Sequence, residues 1–226
     1  MSDRLVVRWR KARPGAEARP PLLVLFHGRG ADEQDLFELA PAIDPAFAIA
    51  SLRGPLPTSE GGYTWSQTSS PGRYVAESLR TSIALVQAWL DELEGGRPEP
   101  QRIYLLGFSA GMAMASALLL DQPARYAGGI LLSGTLPFDT DLSITKNRLA
   151  DVDVFSGTGS FDTVIPAELV TRSATYLRER SGARLTARDY PIGHAISDTE
   201  IGEIATWLDA CESAVSRAHD AGERSG

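Results

Sequence analysis

Apolar residues recur along the chain in two alternating patterns. Short runs that are apolar throughout, such as 22–26, predict strands buried on both faces of a sheet. Longer segments with apolar residues three or four positions apart, such as 74–93, predict helices. The predicted strands are 5–10, 22–26, 47–52, 102–106, 129–133, 151–155 and 184–190, and the predicted helices are 33–43, 74–93, 112–120, 166–180 and 198–214. This alternation favours the α/β class, with a mainly parallel central sheet and helices on both faces.

No linker rich in proline, glycine or serine divides the chain into two separately patterned halves. We therefore expect residues 1–214 to form a single domain, with 215–226 as a polar, flexible tail. The sheet and its helices account for most of the 226 residues, which leaves no room for a separate cap domain. In such a sheet, function is expected beyond the carboxyl ends of the strands.

Charge and composition argue against several classes of protein. The 29 acidic residues outnumber the 22 basic ones, and the net charge of −7 disfavours a nucleic-acid-binding surface. No apolar stretch approaches the length of a membrane span, and the first ten residues lack the apolar core of a signal peptide. We therefore expect a soluble, cytoplasmic protein. Cys211 is the single cysteine, and its place in a helical pattern predicts a buried packing residue.

The segment Gly107-Phe108-Ser109-Ala110-Gly111 joins a predicted strand to a predicted helix. A turn this tight forces its central residue into a strained backbone conformation, so the residues two before and two after it must be small. Glycine stands at both of these positions. The serine hydroxyl would then stand clear of the sheet, and the pattern predicts Ser109 as a nucleophile.

A serine nucleophile needs a base, which is usually a histidine held by a carboxylate. His219 falls in the tail, and His27 precedes a glycine-rich turn, where we expect it to bind loop backbone. His194, in the loop after the last predicted strand, is therefore the predicted base. Of the acidic residues between serine and histidine, Asp162 directly follows a buried strand and precedes a helix, so it is the predicted acid. Asp153 is more simply a solvent-facing strand residue.

The same chemistry needs two hydrogen-bond donors for the negative charge of a tetrahedral intermediate. One predicted donor is the backbone N–H of Ala110, at the start of the helix that follows the serine. The other is the backbone N–H of Arg29, in the turn after the second predicted strand.

Residues 53–72 form the longest stretch without a periodic pattern, yet they carry two large aromatic side chains. Either these side chains cover a site, or they pack the loop onto the body of the protein. Together with apolar residues of other loops at the rim, they are placed to line a shallow, open pocket. The predicted substrate-binding residues are Tyr63, Trp65, Leu136, Phe138, Ile165 and Ile196.

Six motifs, in order, resemble the carboxylesterase/phospholipase family of α/β-hydrolases, which includes the acyl-protein thioesterases. The motifs are LFHGRGAD at 25–32, RGP at 53–55, GFSAG at 107–111, SGTLP at 133–137, DTVIP at 162–166 and YPIGH at 190–194. The resemblance spans about residues 20–210. It implies an α/β-hydrolase fold and a serine esterase with Ser109, Asp162 and His194 as nucleophile, acid and base, and an oxyanion hole at Arg29 and Ala110. It also implies no metal, no cofactor, little cap domain and a homodimer.

Two positions depart from the family pattern. Thr158 stands where many members carry a histidine, and Ala110 stands where the thioesterase branch usually has glutamine. The second departure favours a hydrolase of small carboxylic esters with short to medium acyl chains. Acyl-protein thioesterase or lysophospholipase activity is the alternative within the family. A non-catalytic binding protein that keeps the same fold is the alternative of another class.

Overall fold

A seven-stranded sheet forms the centre of this computed structural model, which describes residues 5–14, 19–44, 46–95 and 102–223. Its strands are β1 (Val7–Arg10), β2 (Leu22–Phe26), β3 (Ala48–Leu52), β8 (Ile103–Phe108), β9 (Gly128–Leu132), β10 (Asp153–Gly159) and β11 (Arg184–Tyr190). They lie in the order β1-β3-β2-β8-β9-β10-β11. All neighbours are parallel except β1, which pairs antiparallel with β3 at one edge.

Helices cover both faces of this sheet. The α-helices of the described residues are α1 (Ala76–Glu94), α2 (Ala110–Asp121), α3 (Ala167–Thr175) and α4 (Asp198–Glu223). Two short 3₁₀ helices lie at Leu36–Ala42 and Pro123–Arg125, and a π-helical turn at Tyr176–Arg180 continues α3. The α/β-hydrolase class expected from the sequence is therefore confirmed. Within the described ranges, none of the helices combines the length and apolar character that crossing a bilayer requires.

Alternate residues of β2 show how the sheet joins the two layers. Leu22, Val24 and Phe26 pack into a core cluster with α1 and α2, whereas Leu23 and Leu25 pack into a second cluster with the 3₁₀ helix at 36–42 and with α4. All five side chains are at most 2% exposed. The uninterrupted apolar run thus marks a strand buried on both faces, as the sequence predicted.

Two predicted helices have different forms from those expected. The segment predicted as an amphipathic helix over 33–43 is the 3₁₀ helix Leu36–Ala42, and Pro41 lies inside it. Proline lacks the N–H that an α-helix would use and crowds the preceding turn, which explains the short, tighter form. The last helix was expected to end near Ala214, but α4 continues to Glu223. Residues 215–223, which were expected to follow the last helix as a tail, are therefore helical.

The unpatterned stretch 53–72 and the two residues after it form two small hairpins. Leu56–Pro57 pairs antiparallel with Tyr63–Thr64, forming β4 and β5, and Thr68–Ser70 pairs antiparallel with Arg73–Tyr74, forming β6 and β7. The first hairpin is joined to the turn after β2 by an isolated bridge between Ala31 and Tyr63. The loop is thereby fixed to the carboxyl ends of the central strands.

Candidate active site

Ser109 lies in the sharp turn between β8 and α2, with φ 56° and ψ −117°. This left-handed conformation is strained for a residue with a side chain. A Cβ atom on Gly107 would collide with the carbonyl of Gly111, and a Cβ on Gly111 would collide with the carbonyl of Phe26. Both flanking glycines are therefore required by close backbone contacts, for the reason that the sequence suggested. The turn presents the Ser109 side chain at the end of the strand.

His194 bridges Ser109 and Asp162. Its Nε2 atom lies 2.9 Å from Ser109 Oγ, and its Nδ1 atom lies 2.7 Å from Asp162 Oδ2. The three predicted residues come from three separate loops, which follow β8, β10 and β11. Because parallel strands end on the same side of the sheet, these loops meet at one rim.

The supporting contacts hold the imidazole and the carboxylate in place. The second oxygen of Asp162, Oδ1, accepts a hydrogen bond from the backbone N–H of Val164 at 2.8 Å. The Asp162 side chain is only 4% exposed, whereas that of His194 is 18% exposed. The ring of Phe108 lies against the imidazole, with centroids 4.9 Å apart. The acid is thus shielded from water, while the histidine can reach a molecule at the surface.

Two backbone N–H groups border the serine. Ala110 begins α2 directly after Ser109, and Arg29 follows Gly28, on which a Cβ would stand 3.6 Å from Ser109 Cβ. Neither N–H donates a hydrogen bond to another residue in the described part of the chain. The amino end of α2 adds the positive end of its dipole. The two N–H groups predicted as oxyanion donors, those of Arg29 and Ala110, thus lie in segments next to Ser109 and have no other hydrogen-bond partner among the described residues.

His27 is fully buried, and both its ring nitrogens contact backbone. The N–H of Gly54 donates to Nε2 at 2.9 Å, and Nδ1 lies 2.6 Å from the carbonyl oxygen of Gly28. Burial lowers the pKa of the imidazole. These contacts agree with the expected role of His27 in binding loop backbone.

Two of the predicted pocket residues cannot meet a substrate in this structure. Trp65 and Leu136 both have 0% exposure. The indole N–H of Trp65 donates to the carbonyl of His27 at 2.8 Å, and its ring packs against Phe26 with centroids 5.1 Å apart. Leu136 lies in the core cluster on the α2 side of the sheet, and its N–H donates to Ser173 Oγ. The prediction that these two side chains line the pocket is wrong, because both pack the loops onto the core.

Of the other four predicted residues, Ile165 is buried, and Tyr63, Phe138 and Ile196 are half-buried. Ile165 is 6% exposed, and Ile196 is half-buried against the core cluster on the α4 side. Phe138 is half-buried beneath the guanidinium of Arg172, which stands 3.9 Å from its ring centroid. Tyr63 is half-buried beside the turn that carries Arg29, because its carbonyl accepts the N–H of Gly30 at 2.8 Å.

Two exposed apolar residues on either side of Asp162 were missed by the sequence analysis. Phe161 is 68% exposed and Val164 is 51% exposed. The signal was present in the sequence, since both are large apolar side chains in the loop that was assigned to the acid.

The geometry as a whole can support nucleophilic attack by a serine. The imidazole can accept the proton of the hydroxyl at Nε2 while its Nδ1–H donates to a carboxylate, and the backbone N–H of Ala110 begins the helix directly after the serine. The same set of parts, in the chain order serine, aspartate and histidine, is that of the α/β-hydrolase fold.

Comparisons with known proteins agree with this fold. The family model described as phospholipase/carboxylesterase matches residues 12–212. A probable carboxylesterase, SOBER1-like, of Arabidopsis thaliana is 30% identical over 135 residues, which are 58% of this chain and 50% of that protein. The chain thus matches only about half the length of this relative.

Two further proteins are matched over more of their length. Acyl-protein thioesterase 1 of Kluyveromyces lactis is 27% identical over 177 residues, covering 69% of this chain and 76% of that protein. The crystal structure of a carboxylesterase from Mesorhizobium loti superimposes with a TM-score of 0.78 and 28% identity over 92% of this chain and 97% of that one. The chain therefore belongs to the phospholipase/carboxylesterase family of hydrolases.

Proposed function

We propose that this protein hydrolyses carboxylic esters of short to medium acyl chains through an acyl-enzyme formed on Ser109. The observation that carries the proposal is the pair of contacts at His194, 2.9 Å to Ser109 Oγ and 2.7 Å to Asp162 Oδ2. These contacts link a serine in a strained turn to a histidine and a carboxylate, and the N–H groups of Arg29 and Ala110 have no other partner among the described residues. This arrangement favours acyl transfer over passive binding. Membership of a hydrolase family supports the same reading.

In the first half of the reaction, Ser109 Oγ attacks the carbonyl carbon of the ester while His194 Nε2 takes the hydroxyl proton. The carbonyl oxygen becomes negatively charged and receives hydrogen bonds from the N–H groups of Arg29 and Ala110. The tetrahedral intermediate then breaks its bond to the leaving alcohol, which takes the proton from His194. The acyl group remains on the serine.

In the second half, water takes the place of the alcohol. His194 accepts a proton from the attacking water and returns it to Ser109 Oγ as the carboxylic acid leaves. Asp162 holds the imidazole with Nδ1 protonated throughout, and it stabilises the imidazolium that forms twice per cycle. Each proton that is taken up is given back, so the residues end the cycle as they began it.

The surface around the site supports small acyl groups. Trp65 and Leu136 are withdrawn into the core, and the exposed apolar groups nearest the acid are Phe161 and Val164. Short apolar chains can rest on such a rim, whereas long ones would extend into water. We therefore expect the preferred acyl groups to have roughly two to eight carbons.

The test is hydrolysis of p-nitrophenyl esters by wild type and by Ser109→Ala. We expect the variant to fold normally and to lose on the order of 10⁶ in kcat, and a serine-directed phosphonate to label the wild type once. Ser160→Ala is the matched control, since Ser160 is an exposed serine in the loop before Asp162. If Ser109→Ala keeps more than a few per cent of the activity, the assignment of the nucleophile is wrong.

A further inference from the structure

The peptide unit between Gly28 and Arg29 is held at its carbonyl oxygen by the side chain of His27. A planar trans peptide points its C=O and N–H in opposite directions. The carbonyl oxygen of Gly28 lies 2.6 Å from His27 Nδ1 and also accepts the N–H of Ala31 at 3.4 Å. The N–H of Arg29, on the other side of this peptide, is one of the two proposed oxyanion donors, and a Cβ on Gly28 would stand 3.6 Å from Ser109 Cβ. The orientation of that N–H is therefore coupled to the contact at the carbonyl.

The tautomer of His27 follows from its second contact. The backbone N–H of Gly54 donates to Nε2 at 2.9 Å, so Nε2 must be unprotonated and the single proton of the neutral ring lies on Nδ1. This proton is the one that donates to the Gly28 carbonyl. Burial lowers the pKa of His27 and so favours the neutral ring, against the weaker opposing effects of the hydrogen bond to the Gly28 carbonyl and, after it, of nearby carboxylates.

The turn that supplies the Gly54 N–H is itself fixed in position. A Cβ on Gly54 would stand 2.6 Å from the carbonyl oxygen of Thr64, so no larger residue fits without displacing the hairpin. The preceding Arg53 donates to both carboxylate oxygens of Glu33. The motif Arg53-Gly54-Pro55, which has no part in the chemistry of Ser109, thus has a structural link to it through His27.

We propose that His27 is a positioning residue for oxyanion stabilisation. Because its ring is anchored by the N–H of Gly54, its contact with the Gly28 carbonyl fixes the orientation of the Arg29 N–H. The inference rests on the proposed function. The two hydrogen bonds run from the Gly54 N–H to Nε2, and from Nδ1–H to the Gly28 carbonyl. A hydrogen bond to that carbonyl also polarises the peptide and strengthens its N–H as a donor.

Two substitutions separate the two contacts of His27. Asparagine places its amide where Nδ1 lies, so His27→Asn keeps a donor for the Gly28 carbonyl. Glutamine places its amide where Nε2 lies, so His27→Gln keeps an acceptor for the Gly54 N–H and loses the other bond. Removing a whole oxyanion donor costs about 10²–10³ in kcat. We expect His27→Gln to lose roughly 30-fold in kcat with KM nearly unchanged, and His27→Asn to stay within about fivefold of wild type.

The specific readout is the ratio of kcat/KM for an ester to that for the matching thionoester. The larger, softer sulfur of a thionoester uses the two N–H donors poorly, so damage to them lowers the ester rate selectively. We expect the ratio to fall by roughly the same 30-fold in His27→Gln and to stay near wild type in His27→Asn. A general loss of folded enzyme would lower both rates equally and leave the ratio unchanged.

A measurement on the wild-type protein does not depend on any variant folding. Long-range ¹H–¹⁵N NMR of the histidine rings should show His27 as the neutral tautomer protonated at Nδ1. A ring protonated at Nε2, or an unchanged ester-to-thionoester ratio in His27→Gln, overturns the inference. Ser109→Ala is assayed in parallel, because ester hydrolysis that does not require Ser109 would instead overturn the proposed function.

Discussion

Asp162 contacts His194 with one carboxylate oxygen and its own loop with the other. Oδ2 lies 2.7 Å from His194 Nδ1, and Oδ1 accepts the N–H of Val164 at 2.8 Å. The side chain is therefore aligned before any substrate arrives. Asp153, at the start of β10, instead pairs with Arg184 at 2.8 Å.

These contacts predict different results for two Asp→Asn substitutions. An amide at position 162 can present N–H to the imidazole and favour the wrong tautomer, so Asp162→Asn should lower kcat by up to ~10⁴ with the fold intact. Asp153→Asn removes half of a surface ion pair and should change kcat by less than about twofold. The check is steady-state ester hydrolysis. If Asp153→Asn lost its esterase activity while Asp162→Asn kept it, Asp162 would not be the carboxylate that orients His194.

Glu200 is a buried carboxyl group outside the proposed chemistry. It lies in the first turn of α4 with 1% exposure, and its Oε1 lies against Gly157, where there is no room for a Cβ. Burial raises the pKa of Glu200 from 4.5 to about 7. The native protein therefore keeps a proton that the unfolded chain has already released over this range of pH.

Stability should consequently fall as pH rises from 4.5 to about 7 and stay low above that range. The shift corresponds to about 3 kcal/mol. Glutamine resembles the protonated acid, so the stability of Glu200→Gln relative to wild type should rise by about this amount between pH 4.5 and 8.5. Urea unfolding at several pH values measures the difference.

The control for this measurement is Glu203→Gln, one turn further along α4. Glu203 is 40% exposed and contacts Arg188 at 3.0 Å, so its substitution should change the free energy of unfolding by less than about 1 kcal/mol. The charge of Glu203 is a minor cause of the raised pKa of Glu200, so most of the pH dependence due to Glu200 should persist in Glu203→Gln. A difference between wild type and Glu200→Gln that does not change with pH would show that the pKa of Glu200 is the same in the native and unfolded states.

The parts of the site that the sequence predicts are those set by local geometry. The apolar run of β2, the glycines around Ser109 and the loop position of Asp162 each follow from constraints within a few residues. The contacts of Trp65 do not, because its burial depends on the carbonyl of His27, 38 residues earlier in the chain. The segment predicted as a helix over 33–43 forms only a short 3₁₀ helix, because its apolar spacing is interrupted by Pro41.

The burial of Trp65 predicts an effect on stability, not on acyl-chain preference. Trp65→Ala removes a fully buried indole and should cost about 3–5 kcal/mol in the free energy of unfolding. Trp9→Ala is the control, since Trp9 is 43% exposed on β1 and should cost much less. Urea unfolding gives both values. If Trp65→Ala were as stable as wild type but had lost its preference for longer acyl chains, Trp65 would be a residue of the pocket.

The exposed rim beside Asp162 predicts how the rate depends on acyl length. Each methylene that is buried contributes about 0.8 kcal/mol, or roughly fourfold in kcat/KM, while the chain still finds apolar surface to contact. We expect p-nitrophenyl esters to improve up to about eight carbons and then to decline, since further methylenes stay in water. A rate that keeps rising to palmitate, or activation by a lipid interface, would indicate a deep channel and favour the acyl-protein thioesterase or lysophospholipase alternative.

A matched pair of valine substitutions tests which surface supplies this dependence. Val164 is 51% exposed beside Asp162, and Val215 is 40% exposed on α4. Val164→Ser removes apolar surface next to the acid and should lower the octanoate-to-acetate ratio of kcat/KM by roughly threefold. Val215→Ser makes the same chemical change away from the strand ends and should leave the ratio as it is. Equal ratios in the two variants would mean that the acyl chain lies along another part of the rim, where Tyr63 and Phe138 keep partial exposure.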